Sequence, residues 1–150
     1  MSENTKRTWR DHLVDWSDLP LRLSLAATFF VHGYPKLFGG IEGFTGALTR
    51  MGVPMPGVMA WVAALAEFGG ALLVLLGLGT RVAALGLAGV MLVAVFHVHF
   101  AQGFKMIVAN GKVGGYEWQV ALLCMAICLI MRGAGPLSLD RLLAKRMAAQ

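Results

Sequence analysis

The chain has 150 residues, which is enough for one domain. It is 57% hydrophobic and only 14% charged, whereas soluble domains carry about 25% charged residues, so the composition argues against an ordinary soluble domain and indicates a lipid bilayer environment. The formal net charge of +5 does not indicate nucleic-acid binding, because the basic residues cluster at the ends of apolar segments, as they do in membrane proteins.

The N-terminal segment, residues 1–18, mixes acidic and basic residues and lacks an apolar core, so it predicts a cytoplasmic lead rather than a cleavable signal peptide. Four apolar segments follow, and a helix of about 20 residues spans the roughly 30 Å core of a bilayer. We predict transmembrane helices at residues 19–38, 58–78, 82–100 and 117–131, of which the last is short for a full crossing. The predicted fold is an all-α membrane protein with a four-transmembrane-helix bundle over residues 19–131 and a basic cytoplasmic tail over residues 132–150.

The connection between the first two spans has features of its own. Pro35, near the end of the first span, is expected to bend the helix or to end its regular part. Residues 41–51 place Phe44, Leu48 and Met51 on one side, which predicts a short amphipathic helix lying in the membrane interface.

The distribution of basic residues predicts the orientation. An even number of spans places both termini on one side, where most of the basic residues lie: Lys6, Arg7, Arg10, Arg22, Arg81, Arg132, Arg141, Lys145 and Arg146. By the positive-inside rule this side is cytoplasmic, so the chain is predicted to be a multi-pass protein of the bacterial inner membrane. Arg22 lies one turn inside the first span and is expected to extend back to the nearby headgroups.

Ionisable residues of all four spans fall at similar depths in the outer half of the predicted bundle. These residues are His32, Lys36, Glu67, His97, His99 and Glu117. Glu67 lies near the middle of the second span, where an unpaired carboxylate costs about 3 kcal/mol or more. Their clustering predicts a polar chamber that opens toward the outer face of the bundle.

The residue types suggest roles in this chamber. A pair of Glu67 and His32 in low dielectric can share a proton near neutral pH and exchange it with a quinone, although a plain buried hydrogen bond is the alternative. Lys36 either neutralises Glu67 or reaches the headgroups. His97 and His99 point about 200° apart on a regular helix, so only one can face the chamber, and we favour His97. Lys36, His97 and Glu117 are the candidate residues for holding the bound molecule.

A metal site and a thiol site are also considered. His32, Glu67, His97 and Glu117 have suitable chemistry for zinc, iron or copper, but nothing in their spacing fixes a ligand set, so no metal ligand is assigned. Cys124 and Cys128 are four residues apart and do not form the C-x-x-C pattern of a thioredoxin-like redox pair.

The order of several short motifs carries a family resemblance over about residues 20–143. The motifs are Arg22, His32-Gly33-x-x-Lys36-Leu37-Phe38-Gly39, Gly52-Val53-Pro54, Glu67-x-Gly69-Gly70, Leu76-Gly77-Leu78-Gly79-Thr80-Arg81-x-Ala83-Ala84, His97, Glu117 and Gly133-x-Gly135-x-x-Ser138-Leu139-Asp140. With them the chain resembles the DoxX family of small four-helix inner-membrane proteins. The resemblance implies a link to membrane oxidoreductases, among them a thiosulfate:quinone oxidoreductase subunit, while distant relatives are chaperone or cargo-receptor proteins. The implied fold is also similar to that of vitamin K epoxide reductases, whose C-x-x-C motif this chain lacks.

Three functional hypotheses follow. The first is a quinone-linked oxidoreductase subunit that works with a partner redox subunit, because the sequence has no haem, flavin or reactive-thiol motif of its own. The second is a non-catalytic assembly or binding protein of the membrane, and the third is a metal-binding or small-solute-binding membrane protein. Replacing Glu67 by Gln separates the first two, because an amide cannot exchange a proton at neutral pH. Small residues of the second span leave room for a homodimer: Ala60, Ala63, Ala64, Gly69 and Gly70.

Overall fold

The computed structural model describes residues 8–105 and 114–150, and these residues form helices and short connections without any β-strand. The helices are α1 (Trp9–Trp16), α2 (Asp18–Phe38), α3 (Ile41–Arg50), α4 (Pro56–Leu76), α5 (Thr80–Val93), α6 (Glu117–Arg132) and α7 (Leu139–Met147). A π-helical segment, Ala94–His99, and a 3-10 turn, Phe100–Gln102, extend α5. The predicted all-α class is confirmed.

Two helices are long and apolar enough to cross a membrane. They are α4, with 21 residues, and the continuous helix Thr80–Gln102, with 23 residues. Helix α2 carries Asp18, Arg22 and Lys36 within its 21 residues, and α6 has only 16 residues. The complete four-span arrangement therefore stays a prediction.

Four helices surround the main core. Helix α2 packs against α4, α4 against α5, and α5 against α6, while α6 also contacts α2. Their shared interior is apolar, and its largest fully buried side chains include Phe29, Leu25, Leu87, Leu129 and Val74. A second, smaller apolar cluster joins α3 to the start of α4 through Leu48, Val53 and Ala60. The amphipathic helix predicted for residues 41–51 is therefore present, with its apolar side against α4.

Gly33 sets the closest approach of α2 to α4. A Cβ atom at Gly33 would lie 2.6 Å from the backbone nitrogen of Phe68 and 3.0 Å from Cβ of Glu67. Real Cβ atoms do not come so close to a neighbouring backbone, so only glycine allows this packing. The contact places α2 directly beside Glu67.

The helix α2 continues through Pro35 and ends at Phe38. Termination at Pro35, one of the two effects expected of this residue, is therefore wrong. Proline removes one backbone donor, but the residues after it still find partners, and the Gly39 nitrogen donates to the Pro35 carbonyl at 2.9 Å.

Arg22 is buried, with only 2% of its surface exposed, so the expectation that it extends to the headgroups is wrong. Its guanidinium donates to four carbonyls: Val74 at 2.9 Å, Leu75 at 2.7 Å, Ala134 at 2.7 Å and Leu137 at 2.6 Å. The last carbonyls of a helix have no partner inside it, and the five donors of arginine can satisfy those at the end of α4. Arg22 thereby joins α2, the end of α4 and the segment after α6.

The predicted basic tail contains α7, which is tied to the turn between α4 and α5. The Asp140 carboxylate accepts hydrogen bonds from the backbone nitrogens of Gly79, at 2.7 Å, and Thr80, at 3.1 Å, and so caps the start of α5. The Asp140 nitrogen donates to the Gly77 carbonyl at 2.9 Å. The chain after α6 is therefore fixed to the end of the bundle at which this turn lies.

Most of the small residues of α4 face the interior of the chain. Ala60, Ala64 and Gly70 are buried, and a Cβ atom at Gly70 would lie 3.0 Å from Leu87. Ala63 lines the cavity described below. Gly69, in contrast, faces open space. The other four residues do not form an external face for self-association, and the homodimer stays a prediction.

Candidate functional site

A cavity of about 570 Å³ lies among α2, α3, α4, α6 and the helix that begins with α5. Most of its lining is apolar and includes Phe29, Phe44, Leu48, Met91 and Leu122. A small set of polar side chains also lines it: Thr28, His32, Lys36, Glu67, His99 and Gln119. Mostly apolar walls with a few polar groups are typical of sites that bind small organic molecules.

The buried charge in this cavity is neutralised by Lys36. Lys36 Nζ lies 2.5 Å from Glu67 Oε1 and 2.6 Å from Oε2, and the two side chains are 25% and 3% exposed. The ammonium also lies 4.6 Å from the centre of the Phe44 ring, a cation–π contact. Lys36 therefore connects α2, where it originates, with α4 and α3.

His32 lines the same cavity but does not hydrogen-bond to Glu67 within the described part of the chain, so the expected Glu67–His32 pair is not formed. His32 and Lys36 are one turn apart on α2. Gly33 presses the α2 backbone against α4, and the long stem of Lys36 reaches the carboxylate from there. Two roles were predicted for Lys36, and in the structure it neutralises Glu67.

His99, rather than the favoured His97, lines the cavity. Both lie in the π-helical segment, which has more residues per turn than an α-helix and so changes which side chains share a face. His99 Nδ1 lies 2.6 Å from the Gly114 carbonyl, and it must be the donor because a carbonyl can only accept. In its neutral form the His99 ring therefore keeps Nε2 as a hydrogen-bond acceptor.

Glu117 is exposed and does not line the cavity, whereas the next two residues, Trp118 and Gln119, do. Gln119 Oε1 is buried and has no hydrogen-bond partner among the residues that the structure describes. Such an oxygen costs free energy unless a bound molecule or water donates to it. Gln119 was not among the site residues predicted from the sequence, although a polar residue in an apolar span is a recognisable signal.

The four residues considered for a metal do not come together, because His97 and Glu117 lie outside the cavity lining. Residues 8–105 and 114–150 contain no group of three or more His, Cys, Asp or Glu side chains arranged to hold a metal ion. Cys124 and Cys128 are exposed and unbonded on α6.

One wall of the cavity, between α4 and α5, is made of small residues. Ala63 and Ala66 of α4 and Gly86 and Gly89 of α5 line it. The two glycines are exposed, and a Cβ atom at either would meet nothing within 4 Å. The cavity therefore extends toward the outer surface of the helices at this side. We call this opening the α4–α5 opening.

Sequence comparisons agree with this helical membrane-type architecture. The sequence model of the DoxX family matches residues 17–100. "Inner membrane protein YqjF" of Escherichia coli (strain K12) is 36% identical over 138 residues, which cover 89% of this chain and 97% of that protein. "Putative oxidoreductase CatD" of Bacillus subtilis (strain 168) is 34% identical over 122 residues, 81% of this chain and 83% of the relative. "Inner membrane protein YphA" of Escherichia coli (strain K12) is 28% identical over 121 residues, 80% of this chain and 85% of the relative. No solved structure matches the chain significantly.

Proposed function

The chain belongs to the DoxX family, and from that premise we propose that it is a quinone-linked oxidoreductase subunit of the bacterial inner membrane. Its cavity would bind quinone or quinol, and a partner subunit would supply or take the electrons. The observation that carries this proposal is the large apolar cavity, which holds the buried Glu67 paired with Lys36 and has an opening between two membrane-length helices. The name of the Bacillus relative supports an oxidoreductase role.

The proposal includes four membrane crossings. The charges of α2 do not require it to leave the membrane, because Arg22 and Asp18 are buried and Lys36 is paired with Glu67. The exposed side of α2 carries large apolar side chains such as Phe30, Val31 and Phe38, which suit contact with lipid. Helix α6 is about 24 Å long at 1.5 Å per residue, so it would cross with the help of the segment before it or of a thinned bilayer.

The residues present fit a quinone ring. A quinone accepts two electrons and two protons, so a site for it needs an apolar slot with both hydrogen-bond donors and acceptors. Phe29, Phe44 and Trp118 supply aromatic walls. Gln119 Oε1, buried and unpartnered, is an acceptor that a quinol hydroxyl could satisfy.

Different residues of the cavity would act as hydrogen-bond donor, hydrogen-bond acceptor and proton carrier. Lys36 Nζ donates to both oxygens of Glu67, and its third N–H group can donate a hydrogen bond to a quinone carbonyl oxygen while the pair stays neutral overall. His99 offers Nε2 as an acceptor at another part of the lining. His32, which is exposed and also lines the cavity, is suited to pass protons between the cavity and its surroundings.

Tryptophan fluorescence tests binding directly. Variants with a single tryptophan are made by replacing the others with Phe, one variant keeping Trp118 in the cavity and one keeping Trp16 in α1. Decylubiquinone titrated into the purified protein is expected to quench Trp118 with a saturable curve and Trp16 only in proportion to quinone concentration. Equal, non-saturable quenching of both would exclude the quinone site.

The two histidines provide a matched pair of variants. We expect H99L to weaken decylubiquinol binding about tenfold, because it removes an acceptor for a quinol hydroxyl that is worth about 1.4 kcal/mol, and H97L to leave it unchanged. Equal effects of the two variants would show that His99 does not contact the bound quinol.

A second candidate function is a non-catalytic binding or assembly protein. Lys36 occupies both oxygens of Glu67 and also contacts Phe44, which is what a structural connection between three helices requires.

The single variant E67Q does not separate the two functions cleanly, because it leaves Lys36 without its anion. The double variant K36M/E67M removes both charges together. Loss of saturable quinone quenching in a folded double variant supports the redox function, and unchanged quenching would exclude a role for the pair in binding quinone.

A further inference from the structure

We propose that α7 and the end of α4 form a binding site for one anionic phospholipid, at the membrane surface where α4 turns into α5. This site is separate from the central cavity and does not depend on quinone binding. Its position, its lining and its charge support the proposal.

The position follows from the α4–α5 turn. Both helices are long and apolar enough to cross a membrane, so the short turn between them, Gly77–Gly79, lies at a membrane surface if they do. Asp140 holds the start of α7 on this turn through the backbone nitrogens of Gly79 and Thr80. Helix α7 is therefore fixed at the headgroup level.

The lining combines exposed leucines with basic side chains. A cleft of about 500 Å³ lies between the end of α4 and α7, and Leu75, Leu76, Leu137 and Leu142 line it. These leucines are 46%, 52%, 56% and 47% exposed. Leucines left open to this extent at a membrane surface suit contact with acyl chains rather than with water.

Arg141 and Lys145 provide the charge. They are one turn apart, so they project from the same side of α7, and both line the cleft together with the buried Arg22. Neither the Arg141 nor the Lys145 side chain has a hydrogen bond or ion pair among the described residues. Three aspartates line an adjoining cleft with Arg141: Asp15, Asp18 and Asp140. Asp18 lies against Arg22, Asp140 binds the start of α5, and Asp15 also has a partner of its own. The cleft thus pairs unneutralised basic groups with apolar surface, which matches a phosphate headgroup and its acyl chains.

Native mass spectrometry of the full chain, released from detergent micelles, tests the site with dioleoylphosphatidylglycerol and dioleoylphosphatidylcholine. We expect one phosphatidylglycerol molecule to be retained in preference to phosphatidylcholine. K145Q should reduce that retention about fivefold, the effect of one basic residue near an anionic lipid surface. The matched control is R146Q, which removes one positive charge from the neighbouring residue outside the cleft and should have little effect.

Several results would overturn the proposal. Equal retention of the two lipids would exclude a role for headgroup charge, and equal losses in K145Q and R146Q would indicate a diffuse surface charge instead of a site. Displacement of the lipid by millimolar inorganic phosphate would identify a phosphate site without a lipid requirement. K145R should restore retention, so a failure of K145R to do so would also count against the site.

Discussion

At the scale of single residues, Lys36 and Glu67 determine the polarity and net charge of the cavity. An isolated carboxylate at this depth is costly, but the ammonium binds both of its oxygens, so the pair adds two polar groups without net charge. Lys36 and Glu67 can both stabilise the fold and take part in proton chemistry. Measurements of unfolding determine the first of these two contributions.

The pair predicts a large difference between single and double variants. K36M leaves the buried Glu67 carboxylate without its partner and should lower the free energy of unfolding by about 3 kcal/mol or more, whereas E67M leaves the 25% exposed Lys36 and should cost less. K36M/E67M replaces both charges with apolar side chains of similar length and should differ from the unmodified protein by only about 1 kcal/mol. Thermal unfolding in detergent measures all three variants. A double variant whose destabilisation equals the sum of those of the two single variants would show that Lys36 and Glu67 are not energetically coupled.

Arg22 is the second residue whose role depends on its neighbours. Its four carbonyl partners come from the end of α4 and from the segment after α6, which lie 52 to 115 residues away in sequence. Lysine has three donors on one nitrogen and cannot reproduce this planar fork, so the charge alone does not account for an arginine at this position.

At the scale of helices, Gly33 is the contact that brings α2 to Glu67. G33A should be destabilising by at least about 1 kcal/mol, because its Cβ would lie 2.6 Å from a backbone nitrogen of α4. The matched control is G69A on α4, where a Cβ meets nothing within 4 Å and alanine should stabilise the helix by up to about 1 kcal/mol. Thermal unfolding of both variants should show shifts of opposite sign. Shifts of the same sign would contradict the close contact.

The α4–α5 opening predicts how a lipid-soluble molecule reaches the cavity. G86L places a large side chain in the open space at the cavity wall and should slow quenching of Trp118 by decylubiquinone about tenfold or more in stopped-flow measurements. G69L is the control, because Gly69 also faces open space but does not line the cavity. An unchanged quenching rate in G86L would show that quinone enters by another route.

At the scale of the whole molecule, the proposed four crossings predict where each end of the chain lies. A reporter fused after Gln150 or within the α4–α5 turn should behave as cytoplasmic, and one fused after Lys105 should behave as external. Alkaline phosphatase, which is active only outside, and green fluorescent protein, which fluoresces only inside, give complementary readings. Alkaline phosphatase activity at Gln150 or in the turn would contradict the topology and would also move the proposed lipid site to the opposite leaflet.

The sequence by itself determined the four helices of the bundle and α3, but not α1 and α7, which lie in segments predicted only as a polar lead and a basic tail. Long apolar segments, the glycines between α4 and α5 and the amphipathic pattern of residues 41–51 are local features, so helix positions could be predicted to within a few residues. It also placed Glu67, Lys36 and His32 near one another, because depth along a helix follows from the residue count.

Only the tertiary structure decided which of these residues meet. The choice of Lys36 over His32 as the partner of Glu67 depends on the contact at Gly33, and the choice of His99 over His97 depends on the π-helical segment. The burial of Arg22 depends on carbonyls that the fold brings from distant parts of the chain. Helix rotation and packing between helices arise from contacts remote in sequence, so the pattern along one helix predicts its depth but not the side chains it meets.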